Sequence, residues 1–309
     1  MGNLTSECSH RIGSAIARMK GWIVGRTILS LLLSLPLLFP GPAAAQLLPI
    51  IDLHFHFAEG LDIDAVVKEM NALGVAKAGN GARFATDALA LGWARRYPDR
   101  FIPFAGKEAI RGFIQSDGER AWTLQSPSVV AYLQQLEAAL KAGQFKGIGE
   151  IHVFGPAATA GNVFPADSPL MRRLWSLSAT YRLPVNVHMD ASDVTVAEME
   201  RLLASDRRGT WMWAHAGGAG PELVRRLLAA HPNFHAELSG RAFDILGDAT
   251  WKVLLEDFSD RFVLGTDAPN LQQFVLGIGR WRKVFKQLSP ATASKLAHQN
   301  AERLLSPGR

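Results

Sequence analysis

The chain has 309 residues, 48% of them hydrophobic and 20% charged, a balance that excludes disordered, collagen-like and coiled-coil architectures. Its formal charge is +5, but the first 45 residues carry four basic side chains (Arg11, Arg18, Lys20, Arg26) against the single acid Glu7, which leaves 29 basic against 27 acidic residues beyond them. That near balance excludes the basic footprint of a nucleic-acid-binding protein.

The leader comes first. Met19-Lys20 opens a short basic stretch that includes Arg26. An apolar run from Ile28 to Phe39 follows, then Pro40-Gly41-Pro42 and Ala43-Ala44-Ala45 in A-x-A form. This order predicts a secretory signal peptide within residues 1–45, cleaved after Ala45, and hence a secreted or periplasmic protein with no membrane attachment after cleavage. The alternative, an uncleaved anchor, is disfavoured because twelve residues interrupted by Pro36 are too short for a ~30 Å hydrocarbon layer. Residues 1–18 read as an extension upstream of the natural start. The myristoylation pattern Met1-Gly2-Asn3-Leu4-Thr5-Ser6 is read as accidental, given the hydrophobic leader behind it. The lone cysteine, Cys8, falls in the leader, so the expected mature chain has neither a disulfide nor a thiolate ligand.

Beyond residue 46, short apolar runs alternate with amphipathic helical ones. Strands are predicted at 50–57, 75–79, 101–105, 145–153, 184–189, 210–216, 233–239 and 262–267. Helices are predicted at 62–73, 86–97, 128–142, 169–181, 194–205, 221–230, 250–258, 271–288 and 291–305. Pro169 and Pro221 suit first helical positions, and Gly74 and Gly143 suit the residue just past a helix end. Eight strands each followed by a helix predict an α/β fold with a parallel sheet. At this length a closed (β/α)₈ TIM barrel forming one domain over residues 46–309 is favoured over an open doubly wound sheet. The stretch from Lys107 to Pro127 is read as an irregular rim loop, either a lid or substrate wall bearing Arg111, Asp117, Arg120 and Trp122, or a solvated loop.

Chemistry-bearing residues collect at strand ends. His54 and His56 form an H-x-H pair ending the first strand, where alternation puts both on one face, with Asp52 one layer below and Phe55 and Phe57 turned to the helices. Glu150 lies near the end of the fourth strand, with His152 two residues on. His188 ends the fifth, His215 the sixth and Asp267 the eighth. The carboxyl ends of barrel strands are where catalysis is built. A lone histidine there is more often structural. Five strand ends converging on imidazole and carboxylate, without sulfur, suit a divalent ion such as Zn²⁺ in a catalytic site. Trp211 and Trp213 share His215's face by alternation and are expected inside the barrel. His231 reads as a helix stop, His235 as a residue of strand seven, and His298 as distant from the mouth. No dinucleotide fingerprint, P-loop, H-E-x-x-H or G-x-S-x-G motif occurs.

The segments Asp52-Leu53-His54-Phe55-His56, Gly149-Glu150-Ile151, His188, Ala214-His215-Ala216-Gly217-Gly218 and Gly265-Thr266-Asp267 together resemble the amidohydrolase superfamily. Within it they are similar to the amidohydrolase-related branch of metal-dependent TIM-barrel hydrolases, over roughly residues 48–305. Asn233–Gly240 and Asn300-Ala301-Glu302-Arg303-Leu304 share that likeness. The resemblance implies His54, His56 and Asp267 as core metal ligands, joined by His188. Glu150 looks like the carboxylate that bridges two ions in TatD-like and phosphotriesterase-like relatives, which would make His215 a ligand of the second. With one ion, as in decarboxylase-like relatives, His215 would instead polarise the substrate.

A bound divalent ion brings the pKa of its water from ~16 to about 7, and Asp267 would carry that water's proton to the leaving group. Arg83, Lys107 and Arg241, each following a strand, could grip an anionic substrate, and His152 is a further substrate-binding candidate. The expectation is an exported metal-dependent hydrolase of a small molecule's amide, lactone or ester bond, using one or two ions. The alternatives are a metal-dependent non-oxidative decarboxylase of a small carboxylic acid and a degenerate barrel that binds without turnover.

Overall fold

The computed structural model describes residues 47–154 and 164–306; the readings placed on the leader lie outside the described residues. Among the described residues, the main sheet has eight strands running parallel in sequence order: β1 (Ile50–Asp52), β2 (Val75–Asn80), β3 (Phe101–Gly106), β4 (Gly147–Phe154), β5 (Pro184–Met189), β6 (Thr210–Trp213), β7 (Phe234–Glu237) and β8 (Phe262–Val263). The two edges meet. Leu53 N–H donates to Leu264 O at 2.9 Å, Asp267 N–H donates to His54 O at 2.6 Å, and Phe55 bridges Ala268 in parallel. The Asp52 carboxylate reinforces this seam. It accepts the His54 N–H (2.9 Å), the Thr266 N–H (3.1 Å) and the Thr266 hydroxyl (2.5 Å). The architecture is a TIM barrel.

Helices separate the strands, and their ends follow local rules. Pro169 and Pro221 occupy first turns, and Gly74 closes helix Ile63–Leu73 with φ 67°. Helix Pro221–Ala230 stops at His231, as expected. Phe55 and Phe57 face the helices, packing with Trp93 and Phe274. Among the described residues no helix is long and apolar enough to cross a membrane.

Three expectations need correction. The segment after β3 is helical, Lys107–Asp117 and then Glu119–Trp122, and not an irregular loop. Gly106, at φ 98°, turns the strand directly into a helix whose Ile110 and Ile114, four residues apart, bury one face. Trp211 and Trp213 point outward. Trp211 packs near Trp175, while the Trp213 indole N–H donates to Met189 O at 2.7 Å. Met212 takes the interior with Ile51, Leu53, Ile102, Phe104 and Val263, and Ala301 and Leu304 of the terminal helix join that cluster. The predicted helix over 291–305 is three pieces, Pro290–Ser294, a π-helical turn Lys295–Gln299, and Asn300–Leu305. Asn300 fastens the last piece to the amino end of β8 by donating to Ser259 O (2.8 Å) and Phe262 O (2.7 Å).

Candidate metal centre

At the opposite, carboxyl end of the strands, four side chains converge. His54, His56, Glu150 and Asp267 each present a ligand atom within 4.8 Å of the others. Local backbone explains the convergence. The seam with strand eight fixes the chain after β1, so the H-x-H alternation turns both rings inward. Asp267 sits at φ 51°, a left-handed conformation uncommon for aspartate, and its Oδ1 lies 3.1 Å from His56 Nε2 and 3.5 Å from His54 Nε2. Glu150 Oε2 lies 3.4 Å from each of those nitrogens.

Each ring is oriented by its other nitrogen. Glu237 Oε2 accepts from His54 Nδ1 at 2.7 Å, and Gly81 O accepts from His56 Nδ1 at 3.1 Å. Such outer contacts set the tautomer and aim Nε2 at a cation. His54 Nε2 is buried with no hydrogen-bond partner although two carboxylates face it. That is poor design for an ion-free pocket and the right design for a metal ligand. The donor set therefore fits a divalent ion. Gly265 is required here, because a Cβ would collide with Glu237 and with His54 Cβ.

His188 and His215 form a second group around the other oxygen of Glu150. His188 Nδ1 lies 2.9 Å, and His215 Nε2 3.5 Å, from Oε1. His215 does not extend its strand. The chain from Ala214 to Gly218 coils through left-handed residues, with His215 at φ 57° and Gly217 at φ 60°, and a Cβ on Gly217 would strike Trp213. This coil reverses the alternation that placed the tryptophans. Ser239 holds His215 Nδ1 through its hydroxyl (2.8 Å) and carbonyl (3.2 Å).

Charge and burial set the protonation states. Burial alone would raise Glu150, but Lys107, His54 and His152 hold it well below the usual carboxylate range. Burial likewise opposes charge on His54, yet Glu150 and Glu237 push it well above the ordinary imidazole value. Asp267 is held low against burial by His56 and His54. Burial brings His152 down to about 4.

Lys107 is buried, with Nζ 2.5 Å from Glu150 Oε2 and 2.7 Å from His152 Nε2. The His152 ring stacks on His188 at 4.7 Å. A cavity of about 180 Å³ opens onto the cluster, bounded by His56, Asp267, Lys107, Arg83, Phe84 and Arg111. Arg111 is paired with Glu108 at 2.5 Å, whereas Arg83 makes no ion pair among the described residues and rests over the Phe84 ring at 5.1 Å. Arg241 is not brought to this cavity. It donates to Ala219 O at 2.6 Å, pairs with Asp244 and covers Trp251. Sequence reasoning missed Glu237, although period-two alternation in Phe234-His235-Ala236-Glu237 puts its side chain on the interior face.

A family model described as Amidohydrolase matches residues 51–306. No curated protein matches the chain. Among solved structures, it is similar to 2,6-dihydroxybenzoate decarboxylase from Rhizobium, with 16% identity over 83% of this chain and 98% of that one (TM-score 0.60). It is also similar to the manganese complex of 5-carboxyvanillate decarboxylase from Novosphingobium aromaticivorans, with 15% identity, 85% and 97% coverage and TM-score 0.58. Dihydroorotase from Campylobacter jejuni aligns at 12% identity over 83% and 82%, with TM-score 0.51. At these identities the likeness is one of fold.

Proposed function

The chain belongs to the amidohydrolase family, and from that premise we propose that it is a metal-dependent decarboxylase of a small carboxylic acid. The observation carrying this reading is the small cavity in which Arg83, a cation without an ion-pair partner among the described residues, faces the cluster of His54, His56, Glu150 and Asp267. A guanidinium beside an exposed aromatic side chain suits a compact acid, its carboxylate on Arg83 and its apolar part against the part of Phe84 that the arginines leave open. Two decarboxylases among the similar structures support the same choice over the hydrolase expected from sequence.

In this reading His54, His56 and Asp267 hold the ion, with Glu150 and His188 beside them. A bound divalent ion supplies Lewis acidity to substrate oxygens. Manganese in a similar decarboxylase makes it as reasonable an occupant as zinc. The residues do the rest. Arg83 orients the carboxylate. The carbon–carboxylate bond breaks, its electron pair stays on carbon, carbon dioxide leaves, and His215 delivers a proton from Nε2 to that carbon. Glu150 and Glu237 suit His215 to this, because against the opposing effect of burial they raise its affinity for a proton.

Hydrolysis of an amide, lactone or ester is the second reading. It is favoured by one observation: Glu150 reaches toward both histidine pairs, one with each oxygen, as a carboxylate bridging two ions would. Asp267 would then be the proton carrier. The test is incubation of purified protein with small aromatic and aliphatic carboxylic acids and, separately, with lactones, esters and amides. Carbon dioxide release with a protonated product supports the decarboxylase. Ring opening or amide cleavage without carbon dioxide replaces it with the hydrolase, and a blank in both panels replaces both with a barrel that only binds. Export is part of the proposal, and N-terminal sequencing of the exported chain tests cleavage after Ala45.

A further inference from the structure

A second cavity, of about 540 Å³, lies at the amino ends of the strands, remote from the metal cluster. Thr210 at the start of β6, Asn233 just before β7 and Arg261 just before β8 line it. Five arginines surround it: Arg182, Arg207, Arg208, Arg261 and Arg303. Asp260 is the acid in this lining, and its carboxylate is already engaged by Lys295 at 2.9 Å and Arg303 at 3.5 Å. Nearby Asp206 is taken up by Arg208 at 2.6 Å.

The positive charge is therefore not cancelled locally. Arg182 and Arg207 make no side-chain hydrogen bond or ion pair among the described residues. Arg261 cannot swing away, because its Nε and one terminal nitrogen are tied to the carbonyls of Phe234 and His231. Burial and the neighbouring charge of Arg303 both push the Arg261 pKa down, which marks like charges held together. Solvated surface arginines ordinarily fan apart. Here backbone contacts hold two of them, Arg261 on Phe234 O and His231 O and Arg303 on Asp260 O (2.5 Å), in one concave space, where a low-dielectric wall concentrates the field.

We propose that this cavity binds a compact phosphate-bearing anion, at a site separate from the metal centre. Guanidinium groups bind phosphate oxygens in planar, bidentate fashion, and several converging on one space select a multiply charged oxyanion over chloride. The bound anion would join the turn at Arg207 to the strand entry at Arg261 and the terminal helix at Arg303.

The test is calorimetric titration of the full chain with inorganic phosphate, with sodium chloride at matched ionic strength as control. One saturable site per chain is expected, present in phosphate and absent in chloride. Arg182→Ala with Arg207→Ala should weaken it by about tenfold or more, since each removes charge-assisted hydrogen bonds. Both side chains are exposed and unpaired, so the fold is expected to persist; Arg207→Glu alone is the second variant and should abolish binding. His54→Ala with His56→Ala, which disables the metal centre, should leave binding unchanged. Absence of a saturable site, binding by the arginine variants as tight as that of the native chain, or loss in the histidine variant would each overturn the proposal.

Discussion

Glu237 grips His54 by Nδ1 at 2.7 Å, and this contact leaves Nε2 as the nitrogen that faces Glu150 and Asp267. The glutamate makes no contact with the cavity, yet it decides which tautomer the ligand presents. Replacing Glu237 with Ala should weaken metal binding by about 10–100-fold, the usual effect of losing the partner behind a ligating histidine. Titration of ion-free protein with Zn²⁺ or Mn²⁺ measures this. Unaltered affinity would mean that His54 is held by other contacts.

Lys107 and Glu150 form a buried pair at 2.5 Å, and removing one member strands the other. Lys107→Met should destabilise the ion-free protein by about 3 kcal/mol, the low end for a broken buried pair because His54 still faces Glu150. Lys107→Met with Glu150→Gln should recover most of that loss. Urea denaturation of the four proteins gives the coupling directly. Additive losses would show that the two residues act independently.

Asp52 ties the first and last strands together. Asp52→Ala leaves three donors of the seam without their acceptor and should cost about 2–3 kcal/mol. Burial outweighs those hydrogen bonds and pushes the carboxyl up to about 6 from 3.8. The folded value lies above the unfolded one, so this contribution to stability is present below about pH 4 and lost as pH rises through about 6. Asp52→Asn should flatten that part of the stability profile of ion-free protein, recorded by denaturation from pH 4 to 7. An unchanged slope would assign the titration to other groups.

Arg83 faces the cavity unpaired, whereas Arg111 beside it is satisfied by Glu108. Arg83→Ala should raise KM for a carboxylate substrate by about tenfold or more, as loss of a charge-assisted contact does. Arg111→Ala should change it little, and neither variant should alter metal content. Steady-state kinetics with elemental analysis separates the outcomes. A larger effect at Arg111 would move the carboxylate to the other side of the mouth.

The barrel and the convergence of His54, His56, Glu150 and Asp267 on one space were legible because they rest on local rules. Alternation in Asp52-Leu53-His54-Phe55-His56 gives the inward face, and the proline and glycine positions mark helix ends. Where backbone leaves the regular pattern, the reading fails. His215 stands in a left-handed coil, so counting in twos back to Trp213 and Trp211 gave the wrong face. Arg241 follows its strand as expected, but Asp244 and Ala219 O compete for its guanidinium, and no sequence pattern announces that. Glu237 was readable by alternation, yet its role depends on reaching His54, 183 residues away. The pairing of Lys107 with Glu150 is likewise a long-range fact, set by the β3–β4 register of Gly106 against Gly149.

In the proposed function His54, His56 and Asp267 hold a divalent ion on which activity depends. Elemental mass spectrometry of protein purified without chelator, compared with the His54→Ala, His56→Ala double variant, tests it most directly. At least about one zinc or manganese ion per chain is expected in the native protein and almost none in the variant, with carbon dioxide release lost in parallel. Equal metal content in the two proteins, or none in either, would contradict it.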